Sequence, residues 1–592
     1  MNHDCKCGMV GYKISMGYQP EPRGGRTVWF FRMAILAAIL LRGPSTFAQT
    51  PKITVSNGTA SLSWPLTSYY YLLQSSTNLP GSNSWFNVAT ASTESSIFSF
   101  IIPGDSTLVP EAPIISNVVG DNFVITQATT NAHQFFRLQA PFIIPVCSFA
   151  IFYEGMLEFT KTADMYVYGT VYANGPVYVG TSATLTFNNT VTSTKTVEGP
   201  ERDGFTPSPW NEGTTFNGHP SFVTNIPAFR SPFGTNNPHV LIDIPPANED
   251  PNSSLGQSRL YNQAYVLIIV TNLPSTGGTN IPWVTLILQC SVNGAIPGAD
   301  PNKGIYTYIY TNSVFTNFTV DPSLQPNGIE NFLSVTNKFT DIREYQTNMF
   351  VAQINVGAYA SWVITNRFCD DPVTGKFPVF GPFILYVADR RNVGTNKLSV
   401  VRLVNGNQLP NNNGIGFSVA TPNPLYVKGH YNVTADGVHF AYLPRSTTNN
   451  GSCVPAALMC DAITILSSSF NDATSPNIRP ASASPSNTVN AAIITGNVPS
   501  TDVTTTTFSG GVQNLIRLQE DWGSGSKYVI LNTSLICLFS SQMATNQFRN
   551  PIGFNPPPQN PYYTAPTRLW GLDPNFYNIY KQPPGIPIYN LP

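Results

Sequence analysis

Closely spaced carboxylates are the side chains best suited to acid–base chemistry, and this sequence contains one Asp doublet, Asp370-Asp371. Two acids can cleave a glycosidic bond when one protonates the leaving oxygen and the other activates water or attacks. Pro372 and Thr374-Gly375 follow the doublet, so its expected setting is a turn carrying two solvated acids. A second cluster, Asp341, Arg343 and Glu344, alternates in sign. On a strand Asp341 and Arg343 share one side, which fits a structural ion pair capping an insertion better than a general acid/base pair. Asp389-Arg390-Arg391 ends the apolar stretch from Phe383 to Val387 and reads as a strand-end turn, with anion binding by the arginines as the other reading.

The histidines add little to this. His219, His239, His430 and His439 lie downstream of His3 and His133. His430 and His439 flank an expected Asp436-Gly437 hairpin turn, but a two-residue loop sets His439 opposite Thr434 and not opposite His430. No metal site is expected there. Neither a nucleophile elbow nor a phosphate-binding Gly-Lys loop occurs. The sequence therefore assigns no catalytic residue, no cofactor-binding residue, no metal ligand and no cofactor. Trp64, Trp85, Tyr69-Tyr70-Tyr71 and Tyr562-Tyr563 could stack on sugars, but strand packing is the expected use of most aromatic residues in a sheet protein.

Of the eight cysteines, Cys5 and Cys7 precede an expected cleavage site, leaving Cys147, Cys290, Cys369, Cys453, Cys460 and Cys537. Their pairing is not fixed by sequence, and no Cys-x-x-Cys spacing suggests zinc or redox work. Cys290 and Cys537 follow apolar residues and read as small buried strand positions. Cys453 and Cys460 are the only close pair, and an oxidising compartment would permit a bond between them.

Charged residues make up 10% of the 592 residues, against about 25% in ordinary globular domains, so neutral Asn, Thr and Ser must carry most of the surface polarity. The net charge is -1, and no basic run exceeds Arg390-Arg391, which excludes an electrostatic nucleic-acid interface. Residues 1–48 read as a signal peptide: Arg23, Arg26 and Arg32 precede the apolar run Met33 to Leu41, and Thr46 and Ala48 suit cleavage near Ala48. The first 32 residues would then be a long lead, with Met33 or an upstream Met as an alternative start. The apolar run is interrupted by Arg32 and ended by Arg42 and falls short of the roughly 20 residues that span a bilayer. A secreted or outer-surface location without a transmembrane anchor after cleavage follows as an expectation. Envelope proteins or surface glycans are the partner classes left open.

The elements that would position these side chains are mostly strands. Residues 51–141 show short alternating strands with Asn57-Gly58 and Pro80-Gly81 as turns, which predicts a small β-sandwich. Residues 146–199 change to apolar strokes of three to five residues, each closed by Gly or Asn, among them Val171-Tyr172, Val177 to Val179 and Leu185 to Phe187. That pattern predicts the first coils of a parallel β-helix, with an antiparallel meander as the alternative. Residues 200–400 read as an irregular β-rich insertion, 401–545 as continued β-helix-like coils, and 546–592 as a Pro- and Tyr-rich tail. Pro176-Val177-Tyr178-Val179-Gly180 is echoed by Pro424-Leu425-Tyr426-Val427-Lys428-Gly429. Helix is expected only over Val512 to Trp522. The fold class is mainly β, a small β-sandwich followed by a parallel β-helix-like domain with an insertion.

Two resemblances accompany this reading. Leu72-Leu73-Gln74-Ser75 and Phe135-Phe136-Arg137-Leu138 resemble elements of fibronectin-like or immunoglobulin-like modules in large secreted bacterial proteins. A second set comprises Phe339-x-Asp341-x-Arg343-Glu344, Asn423 to Asn432, Pro455-Ala456-Ala457 with Asp461 to Ser467, and Gly510-Gly511-Val512 with Arg517 to Trp522. Tyr563-x-x-Pro566-x-Arg568-x-Trp570-Gly571-x-Asp573 and Pro583-Pro584-Gly585-x-Pro587 complete it. Over residues 150–592 these resemble a bacterial envelope domain found in proteins similar to PilX-type pilus-assembly proteins. The resemblance implies an envelope or extracellular role linked to pili, adhesion or secretion, without established catalysis. No prepilin-type leader precedes it, which argues against incorporation into a pilus fibre. The expected function is a non-catalytic structural or adhesive one; a carbohydrate-binding surface protein, or a β-helical polysaccharide lyase or hydrolase, is the alternative.

Overall fold

A computed structural model describes most of residues 143–590, apart chiefly from 199–213, 274–280, 290–303, 319–327, 367–383, 434–452, 477–485, 500–508 and 548–562, and gives backbone strands alone between 52 and 139. It divides into two compact units at about residue 143. In the first, Lys52–Ser56, Thr59–Pro65, Asn122–Ala128 and Ile115–Val119 form one antiparallel sheet, and Phe86–Asn87, Leu72–Ser76 and Phe135–Gln139 form another.

The second unit is built on parallel strands. Ile151–Tyr153, Leu157–Thr160 and Met165–Tyr168 are three sides of one coil, and Val171–Ala173, Val177–Gly180 and Leu185–Phe187 are three sides of the next. Ile151 pairs with Val171 and Val171 with Val191; Leu157 pairs with Val177 and Val177 with Val197; Met165 pairs with Leu185. Each step is twenty residues. The period-two alternation of strands sends Leu157, Phe159, Met165, Val167 and their partners one coil on into the interior, where they are buried. Gly175 sits on the turn stacked over Gly155, where a Cβ would lie 2.7 Å from the Gly155 backbone carbon. Parallel stacking thus replaces the antiparallel meander as the organisation of this region.

The strands gather into two long sheets and a short one. Sheet I has thirteen strands and runs, by strand, from Phe222–Val223 through 191, 171, 151, 535, 492, 456, 417 and 384 to 266, and then into an antiparallel hairpin series ending at Val314–Asn317. Sheet II, also of thirteen strands, includes 214, 185, 165, 567, 528, 486, 425, 397 and 347 in spatial order, and sheet III is the stack of Leu157–Thr160, Val177–Gly180 and Val197–Glu198. The spatial order differs from the sequence order. The chain enters in the middle of the stack, builds coils outward to Phe222–Val223, returns to the opposite end, and builds inward until Leu535–Cys537 pairs with Ile151–Tyr153 and Thr567–Leu572 pairs with Met165–Tyr168. The stretch 200–400 is therefore not one insertion: Ile384–Asp389, Lys397–Gly406 and Thr347–Asn355 are coil strands of the same two sheets.

The described residues between 224 and 264 make the return journey as a strap along sheet I. Phe229 stacks on Tyr172 at 4.1 Å between centroids, and Tyr172 in turn on Phe152 at 5.2 Å. Farther along, the Tyr386 hydroxyl donates to the Ile242 carbonyl at 2.7 Å, and the Tyr265 N–H donates to the Ile384 carbonyl. At this end the helix Val356–Asn366 packs Trp362 on Phe332 and Tyr359 on Phe417. The helix expected over Val512 to Trp522 shrinks to Val512–Leu515 because Ile516–Arg517 is drawn into pairing with Ile463–Leu466.

Candidate functional site

The acidic cluster read from the sequence lies inside the protein. Asp341, Arg343 and Glu344 are all buried. Asp341 accepts from the Tyr426 hydroxyl at 2.6 Å and from the N–H groups of Arg343 and Glu344. Glu344 accepts from Arg517 Nη1 at 2.6 Å and from the Asn546 N–H, while Arg517 also donates to the Ala544 carbonyl. Arg343 donates to the Asn514 carbonyl. Burial, helped by neighbouring Arg517, brings the Arg343 pKa down to about 9; burial also raises the Glu344 carboxyl against the lowering pull of Arg517. The partners are 171 to 173 residues apart in sequence, so the cluster ties separate coils together and does not cap an insertion.

A second buried hub is Asp461. It accepts from the N–H groups of Met543 and Ala544 at 3.1 and 2.9 Å and from that of Gln542, and it lies 3.2 Å from His239 Nε2 on the strap. His239 Nδ1 is 2.7 Å from Asp243. Burial alone would lower the imidazole pKa, but hydrogen bonds and charge from both carboxylates override it and leave His239 at about 9. Burial likewise opposes ionisation of Asp461, and the donors around it win, so its pKa lies below the ordinary carboxylate value. Sequence reasoning gave His239 no role; its only local signal is Asp243 one helical turn on.

Asp389 and Arg391 form a buried, closely matched pair, with Arg391 also donating to the Val335 carbonyl at 2.6 Å. Asn423 braces the Asp389 backbone from both sides. Arg391 is thereby committed to the scaffold, and only Arg390 of the Asp389-Arg390-Arg391 turn points outward. Glu520 accepts from the N–H and hydroxyl of Ser467, both at 2.6 Å. Asp370, Asp371 and His439 lie outside the described residues, as do the side chains of Trp64, Trp85 and Tyr69 to Tyr71. Tyr563 is buried and accepts from Arg568, so it offers no exposed sugar platform. Cys147, Cys453, Cys460 and Cys537 are free, buried thiols, and the close pair Cys453 and Cys460 is not bonded: Cys453 donates to the Asn432 carbonyl, Cys460 to the Thr495 hydroxyl. Among the described residues no group of three or more His, Cys, Asp and Glu could hold a metal ion, and no helix is long and apolar enough to cross a membrane.

One groove opens on the outside of sheet II, where coils turn a corner. Strand Leu425–Tyr431 pairs over Leu425 to Lys428 with Ile463–Leu466, then swings so that Tyr431 meets Val489. Gly429 takes a φ of 83° at the bend, a conformation open to glycine at no steric cost. In the neighbouring coil the register shifts between Val404 and Gly406, around Asn405 with φ 55°. The splayed corner leaves a volume of about 370 Å3 lined by Gln353, Val404, Asn405, Asn407, Lys428, Gly429, His430 and Ser468. The Thr488 N–H donates to His430 Nδ1 at 3.1 Å, which leaves the ring proton on Nε2. Arg402 donates to Gln353 Oε1 at 2.9 Å and forms a two-pronged pair with Asp472, which orients the Gln353 amide. Burial, with Arg402 nearby, lowers the Lys428 pKa from its ordinary value. No carboxylate lines this groove.

No family model, curated protein or solved structure matches the chain.

Proposed function

We propose that the chain is a non-catalytic structural or adhesive protein of the bacterial envelope or extracellular space. The observation that carries this reading is the commitment of the buried carboxylates Asp341, Glu344, Asp389, Asp461 and Glu520, each of which accepts hydrogen bonds from arginine, histidine, hydroxyl or backbone donors of the scaffold. A general acid or base must face substrate within hydrogen-bond reach, and a glycosidase needs two carboxyls across one bond. These acids instead join coils. A stack of parallel strands gains stability from each neighbour it pairs with, which suits a rigid spacer. Export rests on the signal-like start, and a pilus or secretion link rests on the resemblance to the envelope domain alone.

The test is a polysaccharide-degradation screen on the purified chain from Gln49 onward, reading new reducing ends and unsaturated uronate ends. It is run beside an Asp370→Asn, Asp371→Asn double variant and beside adhesion of protein-coated beads to bacterial surfaces. Bead adhesion without new ends is the expected result. Cleavage that disappears in the double variant would overturn the reading and make the doublet catalytic.

A further inference from the structure

We propose that Cys147 and Gln582 form an internal thioester, in which the Cys147 sulfur is joined to the side-chain carbonyl carbon of Gln582 and the tail of the coil unit is fastened to its entry. The inference goes beyond the structural or adhesive reading and does not depend on it, because it rests on the contact between these two side chains.

Cys147 sits in the turn Val146–Ser148, just before the first coil strand, and Gln582 lies in the tail beyond Thr567–Leu572. The two are 435 residues apart in sequence, yet Cys147 Sγ lies 2.5 Å from Gln582 Oε1. That is the short limit for hydrogen bonds between two oxygens, about 2.5–3.0 Å. Sulfur is the larger atom, so an S–H···O hydrogen bond does not account for the approach. A sulfur bonded to the carbonyl carbon would come this close to the carbonyl oxygen, because both atoms then share one carbon, with the oxygen about 1.23 Å from it. The surroundings hold the pair in place. Gln582 Nε2 donates to the Phe576 carbonyl at 3.0 Å, the Val146 N–H donates to the Pro587 carbonyl at 3.2 Å, and Tyr589 sets its ring edge-on to Phe152 at 5.1 Å. Reacting groups fixed in contact behave as if at very high concentration, up to about 10⁸ M. Cys147 is in no disulfide and is fully buried, so its sulfur is available for the step and shielded from water after it. In that step the sulfur adds to Cδ, the Cδ–Nε2 bond breaks, and the nitrogen leaves as ammonia with the thiol proton. No oxidant, reductant or metal takes part. Burial, with the Asp573 charge adding to it, holds the thiol pKa well above its ordinary value, so the proton is still on the sulfur to be passed to the leaving nitrogen.

Peptide mass spectrometry of the folded full chain tests the proposal, with denaturation in acid and digestion by pepsin so that no amine meets the bond. The expected product is a cross-linked peptide that holds both Cys147 and Gln582 and is lighter than its two parts together by one ammonia. The loss must be located in this way, because a chain beginning at Gln49 would also shed ammonia by cyclising at its own end. Hydroxylamine should split the pair, leaving an alkylatable thiol at Cys147 and a hydroxamate at Gln582. Cys147→Ala and Gln582→Glu should each abolish the cross-link. The wild type decides the matter alone, whether or not either variant folds. Separate peptides of full sequence mass, or a Cys147 thiol in the acid-denatured wild type that alkylates as completely as that of Cys453, would overturn the inference.

Discussion

Raising the pH should loosen the strap by removing one charge. His239 has a folded-state pKa of about 9 against an ordinary value of 6.5, so protonation is linked to folding. Because the folded value is the higher one, the stabilisation is fully present below about pH 6.5 and disappears as pH rises through about 9. A displacement of about 2.5 units at about 1.4 kcal/mol per unit corresponds to about 3 kcal/mol. That is a substantial fraction of the roughly 5–15 kcal/mol that holds a typical domain together. The Asp461 contribution runs the other way: its lowered pKa gives stability above its ordinary value that is lost only in acid, so in the folded protein the ion pair itself is intact from mild acid to about pH 8. The assay is denaturant unfolding of the wild type and His239→Gln from about pH 6 to pH 10, with limited proteolysis of residues 224–264 as a local readout. The gap between the two proteins should shrink by about 3 kcal/mol over that range, and strap cleavage in the wild type should accelerate in parallel. Parallel unfolding curves with a constant gap would refute the reasoning, because they would mean that the imidazole carries no charge in the folded protein.

Three further outcomes follow from buried geometry. Glu344→Gln or Arg517→Met alone should cost about 3–5 kcal/mol in unfolding free energy, and a double replacement by apolar residues should recover much of it, since a lone buried charge costs more than a missing pair. Gly175→Ala should destabilise by about 1–3 kcal/mol, because its Cβ would press on the Gly155 backbone, whereas Gly155→Ala, with nothing within 4 Å of its Cβ, should be much milder by thermal melting. Cys453 and Cys537 have thiols pushed up to about 12 by burial; alkylation at neutral pH followed by peptide mapping should leave both unmodified until denaturant is added, and rapid labelling in the native protein would contradict their placement.

The local rhythm of the coils is readable in the chain because a strand in a β-helix needs only an apolar alternation and a bend, and Val171, Val177, Leu185 and Val191 with their Gly and Asn punctuation supply both. The echo of Pro176 to Gly180 in Pro424 to Gly429 is also real at that level: each proline immediately precedes a strand, and its carbonyl accepts from a strand N–H one coil back, that of Leu157 in one case and Val401 in the other. It does not mark equivalent coils, since one segment lies in sheet III and the other in sheet II. The order of the coils is hidden because strand pairing between residues 535 and 151 leaves no local trace. The buried Asn432, Asn490 and Asn532 ladder, which links three coils through side-chain amides, is hidden for the same reason: its steps of 58 and 42 residues follow the varying loop lengths and make no period. The groove needs both facts at once, a splayed corner and residues from coils 75 positions apart, Gln353 and Lys428.

The low charge content takes on a different meaning once the charges are located. Asp341, Arg343, Glu344, Asp389, Arg391, Arg402, Asp461, Arg517, Glu520 and Arg568 are all buried, so many of the few charged side chains never meet bulk water. Most of them pair or hydrogen-bond with residues far apart in sequence, as Glu344 does with Arg517, Asp461 with His239 and Arg402 with Asp472, which penalises a misaligned register by leaving a charge unpaired in the interior. The described outer wall is left poorer in charge than the composition suggests, and its polarity comes from Asn, Thr and Ser.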